Sequence, residues 1–559
     1  MKYPYKDLEN FTLSALLERS IKLYKDKPSL SYVGGEKMTY GEFGDKIKAT
    51  SELLQNNDIN KGDKIVLLSE NMPNWGIAYF AITYLGAVVV PVLPDFHPSD
   101  IHQILRHSEA KAVFVSNKYQ NVIEDFDGSN INFVISLETL SMVEELTDKS
   151  YFSIIREKTK EMAQIITKNK KMKKADENDL AAIIYTSGTT GHSKGVMLSH
   201  KNITTNALST FSKVKITDDD LFLSILPLAH TLECTTGLIV PILHGASVEY
   251  IKKAPTPSVL SKAFKISKPT MMLSVPLIME KIYKNKVLPN FQTSVVMRLI
   301  YSIPFFRKRL NKIAGKKLIE TFGGRMRFFG IGGAPLSPYV EQFLIEADFP
   351  YIIGYGLTET SPLIAGGIVG TKQKLASTGT AFFGVDIKIK DMNPTTGKGE
   401  IIVRSPSVMM GYYKDKEKTD EVMDGEWFLT GDLGYIDEDG YLFISGRSKN
   451  VIIGSSGENI YPEQIEATIN QHKLVLDSLV LEQDKQLIAR VHLDYEAIDK
   501  MFTGSNEKIR EEITAYLEKM RVEVNSNLSS FSKINKFIEQ IEPFVKTPTK
   551  KIKRYLYID

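Results

Sequence analysis

The sequence predicts an α/β protein: a large N-terminal domain rich in parallel sheet, followed by a small C-terminal α+β domain. Three observations predict it. Short apolar, strand-like runs alternate with helical stretches over most of the chain. A β-rich segment with a glycine-closed turn then interrupts the alternation. After Arg447 a shorter strand–helix–strand pattern begins anew. Alternation of this kind places strands in parallel with crossover helices between them. The chain has 559 residues, 43% hydrophobic and 25% charged. That exceeds what one small core requires, so more than one globular domain is expected.

The first strands are KIVLLSE (Lys64–Glu70), AVVVPVL (Ala87–Leu93) and KAVFVS (Lys111–Ser116). Gly76–Pro94 carries no charge and approaches the length of a membrane span. Gly86, Pro91 and Pro94 punctuate it, so the reading is a buried helix ending at Leu85 and then a buried strand. Lys168–Asp179 is polar and lysine-rich and reads as a surface loop before the apolar run Leu180–Tyr185. Trp427–Arg447 is β-rich, with DEDG as a hairpin turn. Beyond it NVIIG, YPEQIEATINQH, DSLVLEQ and QLIARVHL read as strand, helix and two strands. Domains are therefore expected at 1–446 and 452–559, with a hinge at 447–451.

Lys and Arg number 70 against 67 Asp and Glu. That balance points to no particular partner, and none of nucleic acid is expected. The single cysteine, Cys234, excludes an internal disulfide and is compatible with a reducing compartment. MKYPYKDLENFTLSALLERS has no apolar h-region followed by a small-residue cleavage site, so no secretory signal is expected. The expected location is cytoplasmic, with peripheral contact at the inner membrane face.

The sharpest chemical signal is TSGTTGHSKG, Thr186–Gly195, directly after the strand AAIIY. Gly188, Gly191 and Gly195 permit backbone conformations that other residues resist. Such a loop can turn successive N–H groups toward one anion. Thr186, Ser187, Thr189 and Thr190 add hydroxyls, and Lys194 adds a full charge. These are the parts needed to hold a polyphosphate. The loop is not a Walker A motif, because Lys194 is followed by Gly195 and the β-forming VML. Neither GIGGAP nor GYGLTE completes a Rossmann fingerprint.

YTSGTTGHSKGV resembles the signature of the adenylate-forming superfamily, which includes acyl-CoA synthetases, luciferases and peptide-synthetase adenylation domains. Ser193 stands where that family usually has Pro. Further motifs follow in the family's order. LPLAHTLE (Leu226–Glu233) resembles the segment beside the substrate carboxylate, a role that would fall to His230. Some long-chain members place a bulky gate residue a helical turn further on, where Cys234 is small. GGAP (Gly332–Pro335) and GYGLTET (Gly354–Thr360) resemble the adenine and acyl-phosphate wall. Gly333 and Gly356 belong to it, with Tyr355 on the adenine, Thr358 toward the α-phosphate and Glu359 on Mg²⁺. LTGDLG (Leu429–Gly434) places Asp432 in a glycine turn, where one carboxylate can accept from both ribose hydroxyls. GRSKNVI (Gly446–Ile452) resembles the hinge, with Arg447 toward the ribose and Lys449 at the pivot. SSGENIYPEQIE resembles the loop that lines the thiol tunnel. VKTPTKKIKRY resembles PKTxTGKIxR and aligns Lys551 with the catalytic lysine, with Lys550 in place of Gly.

The resemblance covers nearly the whole chain. It implies αβαβα layers and a distorted β-barrel in the large domain, and a mobile small domain carrying Lys551. It further implies ATP and Mg²⁺ as cofactors, with Lys194 and the loop hydroxyls on the phosphates and Thr186 helping to hold Mg²⁺. The acyl acceptor is coenzyme A or an acyl carrier protein. LPLAHTLE resembles the long-chain fatty acyl subgroup, so a fatty acid is the expected substrate. A non-catalytic nucleotide-binding or membrane-associating relative is the alternative from a different class; intact Lys194, Glu359, Asp432, Arg447 and Lys551 argue against it. Separately, Lys281–Ile319 holds ten Lys and Arg and no Asp or Glu. Three readings of that stretch stay open: an anionic membrane surface, an acidic carrier protein, or a solvated helix packing its apolar side on the core.

Overall fold

The computed structural model describes residues 3–126, 128, 130–143, 174–186, 193–453, 459–484, 486–502, 504–529, 532–548 and 551–558. The expected surface loop at 168–179 lies partly outside them. The chain divides into two compact units. The larger runs to Ile387 and takes in Val403–Phe428; the smaller takes Lys388–Ile402 and Leu429 onward.

Two eight-stranded sheets build the larger unit. In the first, Val88–Val92, Lys64–Leu68, Ala112–Val115 and Phe133–Ser136 are parallel neighbours. Leu180–Thr186 joins Val88–Val92 in parallel, and Lys194–Ser199 returns antiparallel to it. In the second, six strands from Leu30–Tyr32 to Tyr351–Gly356 are parallel throughout. Leu363–Gly366 and Thr380–Ala381 close it antiparallel. Strands buried on both faces read as unbroken apolar runs, as VVVPV and AVFV do.

The uncharged stretch at 76–94 forms the helix Pro73–Tyr84, buried from Trp75 to Thr83, and then the buried strand Val88–Val92. Among the described residues no helix is long and apolar enough to cross a membrane.

Asp386–Arg447 supplies a five-stranded sheet, within which Trp427–Ile436 and Leu442–Arg447 form an antiparallel hairpin. The DEDG turn closes it. The Asp437 carboxylate accepts from the N–H groups of Asp439 and Tyr441 at 3.1 and 2.9 Å, and Gly440 takes φ +80°. That left-handed angle is the one glycine adopts without strain. One expectation is corrected here. Asp432 does not sit in a turn: it lies within the ten-residue strand Trp427–Ile436, directly opposite Arg447. Two glycines flanking an Asp suggest a turn, but pairing with the neighbouring strand overrides the local signal.

In the smaller unit Val475–Gln483, Gln486–Leu493 and Lys536–Glu539 form a three-stranded sheet. The helices Pro462–Ile469 and Asn506–Ser526 cover its core, where Ile465, Ile469, Leu517 and Met520 meet Val480 and Val491.

Candidate active site

The large-unit site residues sit at strand ends. Thr186 ends one strand and Lys194 begins the next, and the two are register partners in the hairpin. The mouth of the phosphate loop is thereby pinned. Ser187, Gly188, Thr189, Thr190 and Gly191 lie outside the described residues.

Gly411–Tyr412 pairs antiparallel with Lys194–Ser199, which carries Tyr412 to the lysine. The Lys194 ammonium lies 5.0 Å from the Tyr412 ring centroid, within cation–π range. The Tyr412 hydroxyl donates to Glu359 Oε1 at 2.9 Å. A second tie fixes the same corner, because Met409 N–H donates to the Glu359 carbonyl at 2.8 Å. Lys194, Tyr412 and Glu359 are therefore one connected cluster beside Thr186. Sequence reading missed Tyr412; a glycine followed by two aromatics ahead of a charged run is the only local signal.

The second sheet presents the remaining large-unit residues from the carboxyl ends of its parallel strands, where open α/β sheets bind ligands. Leu221–Ser224 leads into LPLAH, Phe328–Ile331 into GGAP, and Tyr351–Gly356 into LTET. Ile331 and Ile353 are register partners, so GGAP and GYG leave the sheet side by side. Tyr355 is buried and pairs with Ala365. Position 356 must be glycine: a Cβ there would lie 1.8 Å from the Pro362 carbonyl oxygen. Gly333 takes φ +88°. Thr358 and Glu359 share the short 3₁₀ turn Thr358–Thr360 and are half-buried.

His230 precedes the helical stretch that contains the π-helical turn Glu233–Ile239, and its Nδ1 accepts from Leu232 N–H at 3.2 Å. Such turns recur at functional sites. An apolar cavity of about 50 Å³ lies against this helix, lined by Leu232, Thr236, Gly330, Gly332 and Gly354. Lys213 also lines it, with its ammonium turned to Thr380 Oγ1 at 2.6 Å. Burial lowers that lysine to about 8. Burial also pushes the Cys234 thiol up to about 12, which rules out a thiolate nucleophile at neutral pH.

The smaller unit holds Asp432, Arg447, Lys449 and Lys551. Asp432 is 4% exposed, and its Oδ1 lies 2.7 Å from Arg447 Nε. The two residues assigned to the ribose therefore face each other across a strand pair. Gly431 takes φ +68°, and its N–H donates to Glu400 Oε1 at 2.9 Å, which props the Asp432 side of the hairpin. Lys449 is exposed in the 3₁₀ turn Ser448–Asn450, and Asn450 Nδ2 donates to Glu463 Oε1. Lys551 is exposed and its backbone is tied to Thr547: its carbonyl accepts from Thr547 N–H at 2.8 Å, and its N–H donates to Thr547 Oγ1 at 3.1 Å. Lys550, and residues 455–458 of the SSGENIYPEQIE segment, lie outside the described residues.

Among the described residues no three His, Cys, Asp or Glu converge to hold a metal. One carboxylate and one hydroxyl, Glu359 and Thr186, fit a cation that takes most of its ligands from phosphates and water, as Mg²⁺ does.

Lysine, threonine and carboxylate thus gather at strand ends of parallel-rich sheets. Residues 17–413 match the family described as AMP-binding enzyme, and residues 449–557 match the AMP-binding enzyme C-terminal domain. The chain belongs to the AMP-binding enzyme family. It is similar to the peroxisomal long chain acyl-CoA synthetase 7 of Arabidopsis thaliana, 28% identical over 92% of this chain and 79% of the relative. It is also similar to the long-chain-fatty-acid–CoA ligase heimdall of Drosophila melanogaster, 27% identical over 91% of this chain and 80% of that protein. Among solved structures, the anthranilate CoA ligase AuaEII in complex with anthranoyl-AMP superposes with a TM-score of 0.77 at 21% identity, covering 100% of this chain and 98% of that one. The o-succinylbenzoate coenzyme A synthetase of Bacillus subtilis with ATP and magnesium ion gives 0.72 at 22%, over 97% and 98%. These likenesses share the large domain of parallel-rich sheets and the smaller C-terminal domain.

Proposed function

We propose that this chain is an acid–thiol ligase that activates a long-chain fatty acid with ATP and passes the acyl group to coenzyme A. The observation that carries this reading is the Lys194–Tyr412–Glu359 cluster at the mouth of the phosphate loop. It joins a fixed ammonium to a carboxylate suited to Mg²⁺. The names of the Arabidopsis and Drosophila relatives support the long-chain substrate.

The chemistry brings two anions together, so charge neutralisation and positioning dominate. A carboxylate oxygen attacks the α-phosphorus, the bond to the β-phosphate bridge breaks, and pyrophosphate leaves. Lys194 and the loop hydroxyls hold the leaving phosphates. Thr186 and Glu359 would hold Mg²⁺, which would supply neutralising charge there. Tyr355, Gly333 and Gly356 form the adenine wall, Thr358 donates to the α-phosphate, and His230 sits beside the carboxylate. Asp432 accepts from the ribose hydroxyls and Arg447 supports it. Lys551 bridges carboxylate and α-phosphate. The chain then turns about 447–451, with Lys449 at the pivot between domains 1–446 and 452–559, and withdraws that lysine. The thiol sulfur attacks the acyl carbon, its proton leaves to solvent, and AMP departs.

The test is AMP release across a fatty-acid length series, with coenzyme A and acyl carrier protein offered separately. Long acids with coenzyme A should give the highest kcat/KM. Turnover with carrier protein alone would move the acceptor to a protein thiol, and turnover with short or aromatic acids alone would refute the long-chain assignment.

A further inference from the structure

The helices Val295–Ser302 and Pro304–Thr321 meet at Ile303, whose extended backbone ends the first and caps the second. A surface helix ordinarily turns its apolar side to the core; these two also hold large apolar groups outside it. No residue of the first helix is buried, and of the second only Asn311, Gly315 and Leu318 are. The inward side is mixed: Tyr301, Leu310, Ala314, Leu318 and Ile319 pack on the core beside a polar clamp. Arg307 donates to the Glu346 carboxylate through Nη2 at 2.8 Å and Nε at 3.0 Å. Asn311 donates to the same carboxylate at 2.8 Å and accepts from the Tyr301 hydroxyl at 3.0 Å. Gly315 lies so close to Ala347 that a Cβ would be 2.5 Å from its carbonyl oxygen. This charge-assisted clamp fixes which side faces out.

The outward side carries large apolar groups of its own. Leu299, Phe305 and Phe306 are 62%, 58% and 43% exposed. Core packing by Leu310, Ala314, Leu318 and Ile319 accounts for one side of the helices and leaves these three groups outside. Cations surround the exposed groups, and the Arg309 guanidinium lies 4.4 Å from the Phe305 ring centroid. Glu346 neutralises Arg307 and Asp348 pairs with Lys312 at 2.8 Å. Arg298, Lys308, Lys316 and Lys317 have no carboxylate partner among the described residues.

Exposed large apolar groups interleaved with unpaired cations fit the boundary of an anionic bilayer, where rings enter the acyl edge and ammonium or guanidinium groups meet phosphates. An acidic protein would satisfy the charge but leave three large apolar side chains needing a groove of their own. We propose that the hairpin Val295–Thr321 is a docking surface for anionic lipid bilayers, with Leu299, Phe305 and Phe306 entering the headgroup boundary and Arg298, Lys308 and Arg309 on lipid phosphates. The proposal stands independently of the ligase reading.

The test is co-sedimentation of the full chain with vesicles of phosphatidylcholine alone or mixed with phosphatidylglycerol. The chain should bind the anionic vesicles and release with added salt. Each cation near such a surface contributes about fivefold, so Arg298→Gln, Lys308→Gln and Arg309→Gln together should weaken binding by about a hundredfold. Phe305→Ser with Phe306→Ser should weaken it without changing the salt dependence. Exposed positions should leave the thermal midpoint unchanged. Phe305→Trp, which keeps every charge, should shift its emission to the blue on anionic vesicles. Equal binding to neutral vesicles, unaltered binding by the variants, no emission shift, or binding to an acidic carrier protein with none to vesicles would each overturn the proposal.

Discussion

Tyr412→Phe isolates one link in the cluster that joins the phosphate loop to Glu359. It deletes the hydroxyl that donates to Glu359 Oε1 at 2.9 Å and keeps the ring 5.0 Å from the Lys194 ammonium. A hydrogen bond to a charged group contributes about 1.5–3 kcal/mol. Glu359 is half-buried, so the low end applies. About 1.4 kcal/mol is tenfold in rate. Exchange of labelled pyrophosphate into ATP should therefore fall about tenfold at limiting Mg²⁺ and recover as Mg²⁺ is raised. Acyl transfer from supplied acyl-adenylate should not change. Tyr412→Leu removes the ring as well. The cation–π contact contributes about 0.5–1 kcal/mol at exposed sites, so a further loss of about two- to fivefold should appear that Mg²⁺ does not recover. A merely structural Tyr412 would lower the thermal midpoint and leave the Mg²⁺ dependence alone. Unchanged Mg²⁺ dependence in Tyr412→Phe would refute the positioning role.

Other expectations follow from the same geometry. Lys551→Ala should cut adenylation by about a hundredfold or more, the scale for losing one transition-state charge contact, and leave transfer from supplied acyl-adenylate intact; equal loss of both half-reactions would contradict its role. Asp432→Asn keeps the shape of a side chain that is 4% exposed but weakens its pair with Arg447. The KM for ATP should rise about tenfold, the equivalent of one charge-assisted hydrogen bond, with kcat less affected; an unchanged KM removes Asp432 from the ribose. Burial holds the Glu233 carboxyl at about 8 against 4.5 for the exposed group. The folded chain therefore holds a proton that the unfolded chain loses. The stability this gives is fully present below pH 4.5 and lost as pH rises to about 8. Glu233→Gln should flatten that decline, read as urea midpoints at the two ends of the window; parallel declines in both proteins would contradict it.

Patterns that depend on near neighbours were legible in the sequence. The DEDG turn needed only an Asp able to accept from N–H groups two and four residues on, and a glycine at φ +80°. The buried helix and strand across 73–92 were legible because Gly86 and the β-branched VVVPV mark the change of period. Lys194 could be placed at the start of a strand because VML follows it. What stayed hidden depends on distant partners. Asp432 reads as a turn until Arg447 is set opposite it, 15 residues on. Tyr412 acquires a role only through Glu359, 53 residues earlier. The outward placement of Phe305 and Phe306 in 295–321 was undecided from composition, because nothing within it reveals that Glu346 holds Arg307.

The central claim is that a carboxylate is activated on the ATP α-phosphorus before any thiol takes part. It is tested most directly by labelled pyrophosphate exchange into ATP with a long-chain fatty acid and no thiol present. The account predicts exchange that requires the acid and Mg²⁺ and is lost in Lys194→Ala. Absence of exchange with every acid, or acid-dependent release of ADP and phosphate in place of AMP and pyrophosphate, would contradict it.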